Sequence, residues 1–155
     1  MALHRGGSAP VDVNITPYVT PGQNANVVVY ATSDLRSELQ GAGKQSLKDA
    51  SNGCNYTRTI GIWQTVWLEA VAPGSLKDAK VTTDLAQKQI VVRPVFYPGA
   101  EGHTLKVALK DGDHTVAKAS VKADGQSVAV LPVKSPKLWS PESPFLYDIV
   151  YTVEE

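Results

Sequence analysis

Apolar and polar residues alternate with period two in short runs along this chain, and ten Pro and 12 Gly cut the runs apart. Such spacing predicts strands and turns. Helix is confined to one or two turns at Ser33–Leu39 and one turn at Ser75–Ala79. Val11-Asp12-Val13-Asn14-Ile15 alternates cleanly, Pro17, Pro21 and Gly22 mark a turn, and Asn26-Val27-Val28-Val29-Tyr30 follows as a second strand. Ile62 to Ala70 restores the alternation, with Ile62, Gln64, Val66 and Leu68 on one side and Trp63, Thr65, Trp67 and Glu69 on the other, which predicts a third strand. Between them, from Asp34 to Gly53, the pattern dissolves into Ser, Gly, Gln, Lys and Asp. A structureless stretch of that length inside a compact domain is uncommon and is usually functional or mobile.

Pro73-Gly74-Ser75 is the natural boundary, dividing the chain into residues 1–72 and 73–155. Beyond it strands recur at a spacing of about ten residues, as in small β-sandwiches. They are predicted near 78–84, 89–97, 104–110, 115–122, 126–133 and 145–153, with turns at Pro98-Gly99 and Asp111-Gly112-Asp113. Six or seven short antiparallel strands in about 80 residues describe an immunoglobulin-like sandwich without the Cys-Trp-Cys hallmark of antibody domains. The chain as a whole reads as all-β, built from antiparallel sandwiches.

Composition narrows the function. The 155 residues are 43% hydrophobic and carry 15 basic and 15 acidic side chains, scattered along the chain. Zero net charge without a basic cluster argues against nucleic acid and anionic membranes as partners. Apolar runs fall far short of the roughly 20 residues needed to cross a bilayer, and no basic-then-apolar leader follows Met1, so the chain is expected to be soluble with any export signal absent. Cys54 has no second Cys to pair with. His4, His103 and His114 are far apart in sequence, and no phosphate loop, HExxH or nucleophile elbow is present, so neither metal nor cofactor is expected. A catalytic (β/α)8 barrel of about 250 residues does not fit in this length. Two tripeptides, Asn14-Ile15-Thr16 and Asn55-Tyr56-Thr57, match the short N-glycosylation pattern.

The most informative string is Tyr56-Thr57-Arg58-Thr59-Ile60-Gly61-Ile62-Trp63-Gln64-Thr65-Val66-Trp67-Leu68-Glu69. Upstream stand His4-Arg5-Gly6-Gly7, Val11 to Pro17, Pro21-Gly22-Gln23-Asn24 and Gly43-Lys44-Gln45; downstream stands Leu138-Trp139-Ser140-Pro141-Glu142-Ser143-Pro144-Phe145-Leu146-Tyr147. In this order the strings resemble glycoside hydrolase family two, the family of β-galactosidases, β-glucuronidases and β-mannosidases. The resemblance implies an internal slice of a longer enzyme: the last strands of a sugar-binding jelly roll (1–72), then the family's immunoglobulin-like domain (73–155). Family members retain configuration using two Glu whose carboxyls lie about 5 Å apart. Both sit on the barrel that follows the immunoglobulin-like domain, before which this sequence stops, and Glu38, Glu69, Glu101, Glu142, Glu154 and Glu155 match none of the family's catalytic strings. No glycosidase activity is expected of this chain alone.

Contact with a sugar is still compatible with the resemblance, because loops of the family's first domain approach the substrate pocket. By position the candidates are Lys44 and Gln45 in the long loop and Asn55, Tyr56 and Arg58 ahead of the Trp63 strand. Asn and Arg can bridge adjacent hydroxyls with paired hydrogen bonds. Equally, Arg58 would pair with a carboxylate, and Lys44 and Gln45 would dock onto the catalytic barrel of the parent enzyme. Trp63 and Trp67, four apart on one strand, would point the same way about 13 Å apart. They would offer a flat platform to alternate sugar rings or fill an interdomain interface. An incomplete jelly roll leaves edges to cover, which predicts a homodimer, strand exchange or a rearranged sandwich. Two functions stay open: a non-catalytic carbohydrate-binding accessory module taking galactosides or polysaccharides, and a structural spacer without a ligand.

Overall fold

The computed structural model describes residues 2–34, 36–37 and 39–155 and falls into two compact units, Met1–Trp67 and Leu68–Glu155. The second unit carries the sandwich. Its strands are β1 (Leu76–Asp84), β2 (Gln89–Phe96), β3 (Thr104–Asp111), β4 (His114–Lys122), β5 (Ala129–Pro132) and β6 (Asp148–Glu154). They form two antiparallel three-stranded sheets, ordered β1-β2-β5 and β4-β3-β6.

Period-two alternation decides which side of each strand is buried. In β3, Leu105, Val107 and Leu109 point inward and are sealed from solvent. They meet Ile90 and Val92 of β2 and Ala129 and Leu131 of β5 in one continuous core that Val133 extends. Each large aliphatic side chain so buried contributes about 1.5–3 kcal/mol. Partly buried Ala117, Ala119 and Val121 of β4 and Ile149, Tyr151 and Val153 of β6 close the flanks. The outer face of the second sheet is polar, and Lys106 pairs there with Glu154 at 2.6 Å.

Local chemistry sets the turns. β3 and β4 are joined by Gly112-Asp113 alone, with Gly112 at φ 57°, a conformation a two-residue hairpin needs and Gly adopts without cost from a Cβ. A bulge between Leu109 and Lys110 follows in the β3–β4 register. Asp84 Oδ1 accepts the Gln87 amide at 3.0 Å in the β1–β2 loop, where Lys88 takes φ 52°. The Pro98-Gly99 turn packs on Pro73-Gly74: the Gly74 amide donates to Pro98 O at 2.9 Å and the Tyr97 amide to Ser75 O at 2.9 Å.

The all-β, antiparallel sandwich reading thus stands, and the six strands fall where the alternation puts them. Two details shift. Leu76 to Ala79 is strand rather than a helical turn, with a bulge at Lys77. β5 starts at Ala129 and not 126, because Asp124 Oδ1 accepts the Gln126 amide at 3.0 Å and the Ser127 amide at 2.6 Å and holds those residues in a turn.

The first unit corrects the sequence reading more deeply. Residues 68–70 of the second unit and, among the described residues of the first, 11–15, 26–30 and 62–67 form no strand. Regular structure in the first unit is one 3-10 turn, Thr16–Tyr18, and two isolated bridges, Gln45 with Tyr56 and Asn52 with Asn55. Alternation assigns side chains to faces but supplies no hydrogen-bonding partner, and a lone extended segment has no ladder to hold it. Val28, Tyr30 and Leu68 are accordingly exposed. The predicted turns at Ser33–Leu39 fall partly outside the described residues.

Candidate functional site

The long polar loop of the first unit folds back on the segment before Trp63. The Tyr56 amide donates to Lys44 O at 2.7 Å and the Ser46 amide to Tyr56 O at 2.8 Å, forming a short parallel bridge. Gln45 Oε1 accepts the Thr59 amide at 2.9 Å. Ser46, buried beneath this contact with 1% of its surface exposed, accepts the Lys48 amide on Oγ at 3.1 Å. Asn52 and Asn55 exchange backbone hydrogen bonds of 3.1 and 3.0 Å, closing the turn between the two arms. Five of the seven sequence candidates, Lys44, Gln45, Asn55, Tyr56 and Arg58, are therefore neighbours in one paired-loop structure.

Arg58 is tied to a group the sequence did not single out. Its Nη2 donates to Asp49 Oδ1 at 2.6 Å, and Arg36 Nη2 donates to the same oxygen at 2.9 Å. Asp34 Oδ1 accepts the Arg36 amide at 3.1 Å, fixing the turn that presents Arg36. Ser33, Asp34, Arg36, Arg58 and Ile60 line an open groove of about 510 Å³. Two guanidinium groups and two carboxylates leave this region electrically neutral and dense in donors and acceptors. Arg36, Asp34 and Asp49 lie 9 to 24 residues from Arg58 in sequence, and no local pattern links them to it.

Trp63 and Trp67 are 72% and 77% exposed, and residues 62–70 form no strand, so strand alternation does not set the two rings on one face. Trp63 Nε1 donates instead to Gly7 O at 2.7 Å, which gives the Gly6-Gly7 turn a tertiary anchor. Glu38 lies outside the described residues. Among the described residues no three His, Cys, Asp or Glu side chains gather in a way that would hold a metal ion.

A second open groove, about 750 Å³, lies at one end of the sandwich between Pro94–Thr104 and Lys122–Gly125. Asp124 there is held below the usual carboxylate range, first by the Ser127 side-chain hydrogen bond and then by the Gln126 amide. On β6, burial raises the Tyr151 phenol, and nearby Asp78 adds to the rise.

One comparison with known proteins bears on the whole sandwich. The sequence model of the glycosyl hydrolases family 2 matches residues 74–155, just over half of the chain. The match opens at Gly74 of the packed turn and runs through β6 to the last residue.

Proposed function

Because the chain belongs to the glycosyl hydrolases of family 2 and contributes an accessory β-sandwich of that family, we propose that it acts without a catalytic pair of its own, as a non-catalytic carbohydrate-contacting module. Sugar contact comes from the paired loop of residues 44–60, at the groove flanked by Arg36 and Arg58.

The observation that carries this reading is the sharing of Asp49 by the two arginines beside that groove. Each guanidinium has five N–H donors, so donors remain after one bond to Asp49. With Asp34 and Ser33 as acceptors and Ile60 as an apolar part of the wall, the lining suits a neutral polyhydroxylated ligand better than an anion. The rival reading, a spacer without ligand, draws support from the internal use of Gln45 and Arg58, which already satisfy Thr59 and Asp49.

Titration with galactosides and with plant or host polysaccharides, followed by Trp fluorescence, separates the two. Saturable binding that is lost in Arg36→Ala and Arg58→Ala supports sugar contact. Absence of a response to every glycan leaves the spacer. Release of chromophore from a chromogenic galactoside by the purified chain would overturn the non-catalytic assignment.

A further inference from the structure

Five asparagines occur in the chain, and one of them, Asn52, precedes glycine. Attack of a backbone nitrogen on the preceding side-chain carboxamide is ordinarily slowed by the bulk of the attacking residue, and Gly53 has none. Nothing lies within 4 Å of the position a Gly53 Cβ would occupy, and its φ of 60° places it in the left-handed region. The Asn52–Asn55 turn uses the backbone groups of those two residues. The Asn52 carboxamide and the Gly53 amide take no hydrogen bond among the described residues, and both residues are exposed.

We propose that Asn52-Gly53, at the tip of the paired loop, is a site of spontaneous covalent modification by deamidation. The deprotonated Gly53 nitrogen attacks Asn52 Cγ, a C–N bond forms, the Cγ–Nδ2 bond breaks and ammonia leaves. The resulting five-membered imide takes up water. Opening at Cγ gives aspartate, and opening at the main-chain carbonyl gives isoaspartate. Neither step needs an oxidant or a cofactor. Both products add a negative charge, and the isoaspartate also inserts a methylene into the main chain inside the turn that holds residues 44–46 against 55–58.

Other residues show why the reaction is selective. Asn14 Oδ1 accepts the Thr16 amide at 3.0 Å, and the next residue is β-branched Ile15. Asn24, Asn26 and Asn55 precede Ala25, Val27 and Tyr56, whose side chains crowd the attacking nitrogen. Asp111 and Asp124, which also precede glycine, are ionised carboxylates held by Lys137 and by the Gln126 and Ser127 amides, and an ionised carboxylate is a poor electrophile.

The test is incubation of the folded full chain in mildly alkaline buffer, beside a urea-unfolded control. Trypsin then releases the Asp49–Arg58 peptide, and tandem mass spectrometry assigns the altered residue. The expected result is progressive loss of the Asn52 amide in the folded chain, faster as pH rises, with isoaspartate detected by isoaspartyl methyltransferase labelling and Asn55 intact in the same peptide. An Asn52 that keeps its amide in the folded chain overturns the proposal, whether or not the unfolded control converts. So does prior conversion of any other asparagine.

Discussion

Gly74 lies directly against the imidazole of His103: a Cβ at this glycine would stand 2.7 Å from Cε1 and 2.8 Å from Nδ1 of the ring, and 2.6 Å from the carbonyl oxygen of Gly99. Its φ of 72° is in the left-handed region as well. The Gly99 oxygen is backbone and cannot swing aside, so Gly74→Ala combines overpacking with conformational strain. It is expected to cost about 2–4 kcal/mol. Gly112→Ala, at φ 57° with nothing within 4 Å, carries the conformational cost alone, about 1–2 kcal/mol. Urea denaturation of both variants checks the order, and an equal loss at the two sites would refute the role assigned to the His103 contact.

Hydrogen exchange should divide the chain sharply. Amides of Ile90–Val92 and Leu105–Leu109 sit in central strands paired on both sides over a sealed core and are expected to exchange only on global opening. Amides of residues 26–30 and 62–68 have no ladder and should exchange within the dead time of a manual measurement. Protection in 62–68 comparable to that of β3 would show a paired strand there in solution.

A small polar cluster holds the approach to β6. The Lys137 amide donates to Tyr147 Oη at 2.8 Å, Lys137 Nζ pairs with Asp111 and lies 4.7 Å from the Phe145 ring centre, and Phe145 meets Tyr147 edge-on at 4.8 Å. Tyr147→Phe removes the hydroxyl acceptor and keeps the ring contact, so a loss of about 1 kcal/mol is expected. Lys137→Met loses the ion pair and the cation–ring contact together but leaves the amide, and its surface location limits the loss to about 1 kcal/mol or less. Limited proteolysis between 137 and 147 should quicken in both variants; unchanged cleavage would argue against the cluster as the element that orders this segment.

The acid side of the stability profile should bear the mark of Asp124. Its folded carboxyl lies below the ordinary 3.8 because Ser127 and the Gln126 amide favour the charged form. A lowered folded value means the contribution is fully present above the unfolded value and disappears as pH falls through the folded one. Asp124→Asn should therefore flatten the profile below about pH 4, and carbon-detected NMR titration of the carboxyl reads the shift directly. At the alkaline end the sign reverses. Tyr151, raised above 10.0 by burial and Asp78, stays neutral in the fold while the unfolded phenol ionises. Stability should decline from about pH 10 upward, less so in Tyr151→Phe.

The sandwich was legible in the sequence because its strands carry their own instructions: Leu105, Val107 and Leu109 alternate with Thr104, Lys106, Ala108 and Lys110, and Gly112 marks the turn. The segment Ile62–Ala70 alternates as cleanly and yet forms no strand, since a pattern of faces says nothing about which backbone will pair with it. The candidate site was half visible. Lys44, Gln45, Asn55, Tyr56 and Arg58 could be chosen from loop position and chemistry, whereas the meeting of Arg36 and Arg58 on Asp49 depends on a chain reversal with no local signature.

The strand order has a kinetic side. Each central strand gains one neighbour through a short hairpin, β1 for β2 and β4 for β3, but waits for the other from far along the chain, as in the pairing of Gln89 with Pro132 and of Thr104 with Glu154. Hairpins close in about 1–10 μs, whereas topologies dominated by distant pairings fold on the order of milliseconds to seconds. During that interval the open sides of β2 and β3 can accept a strand from another molecule as readily as β5 or β6. Recovery of native protein on refolding should therefore fall as chain concentration rises, even though the finished sandwich keeps the same strands covered.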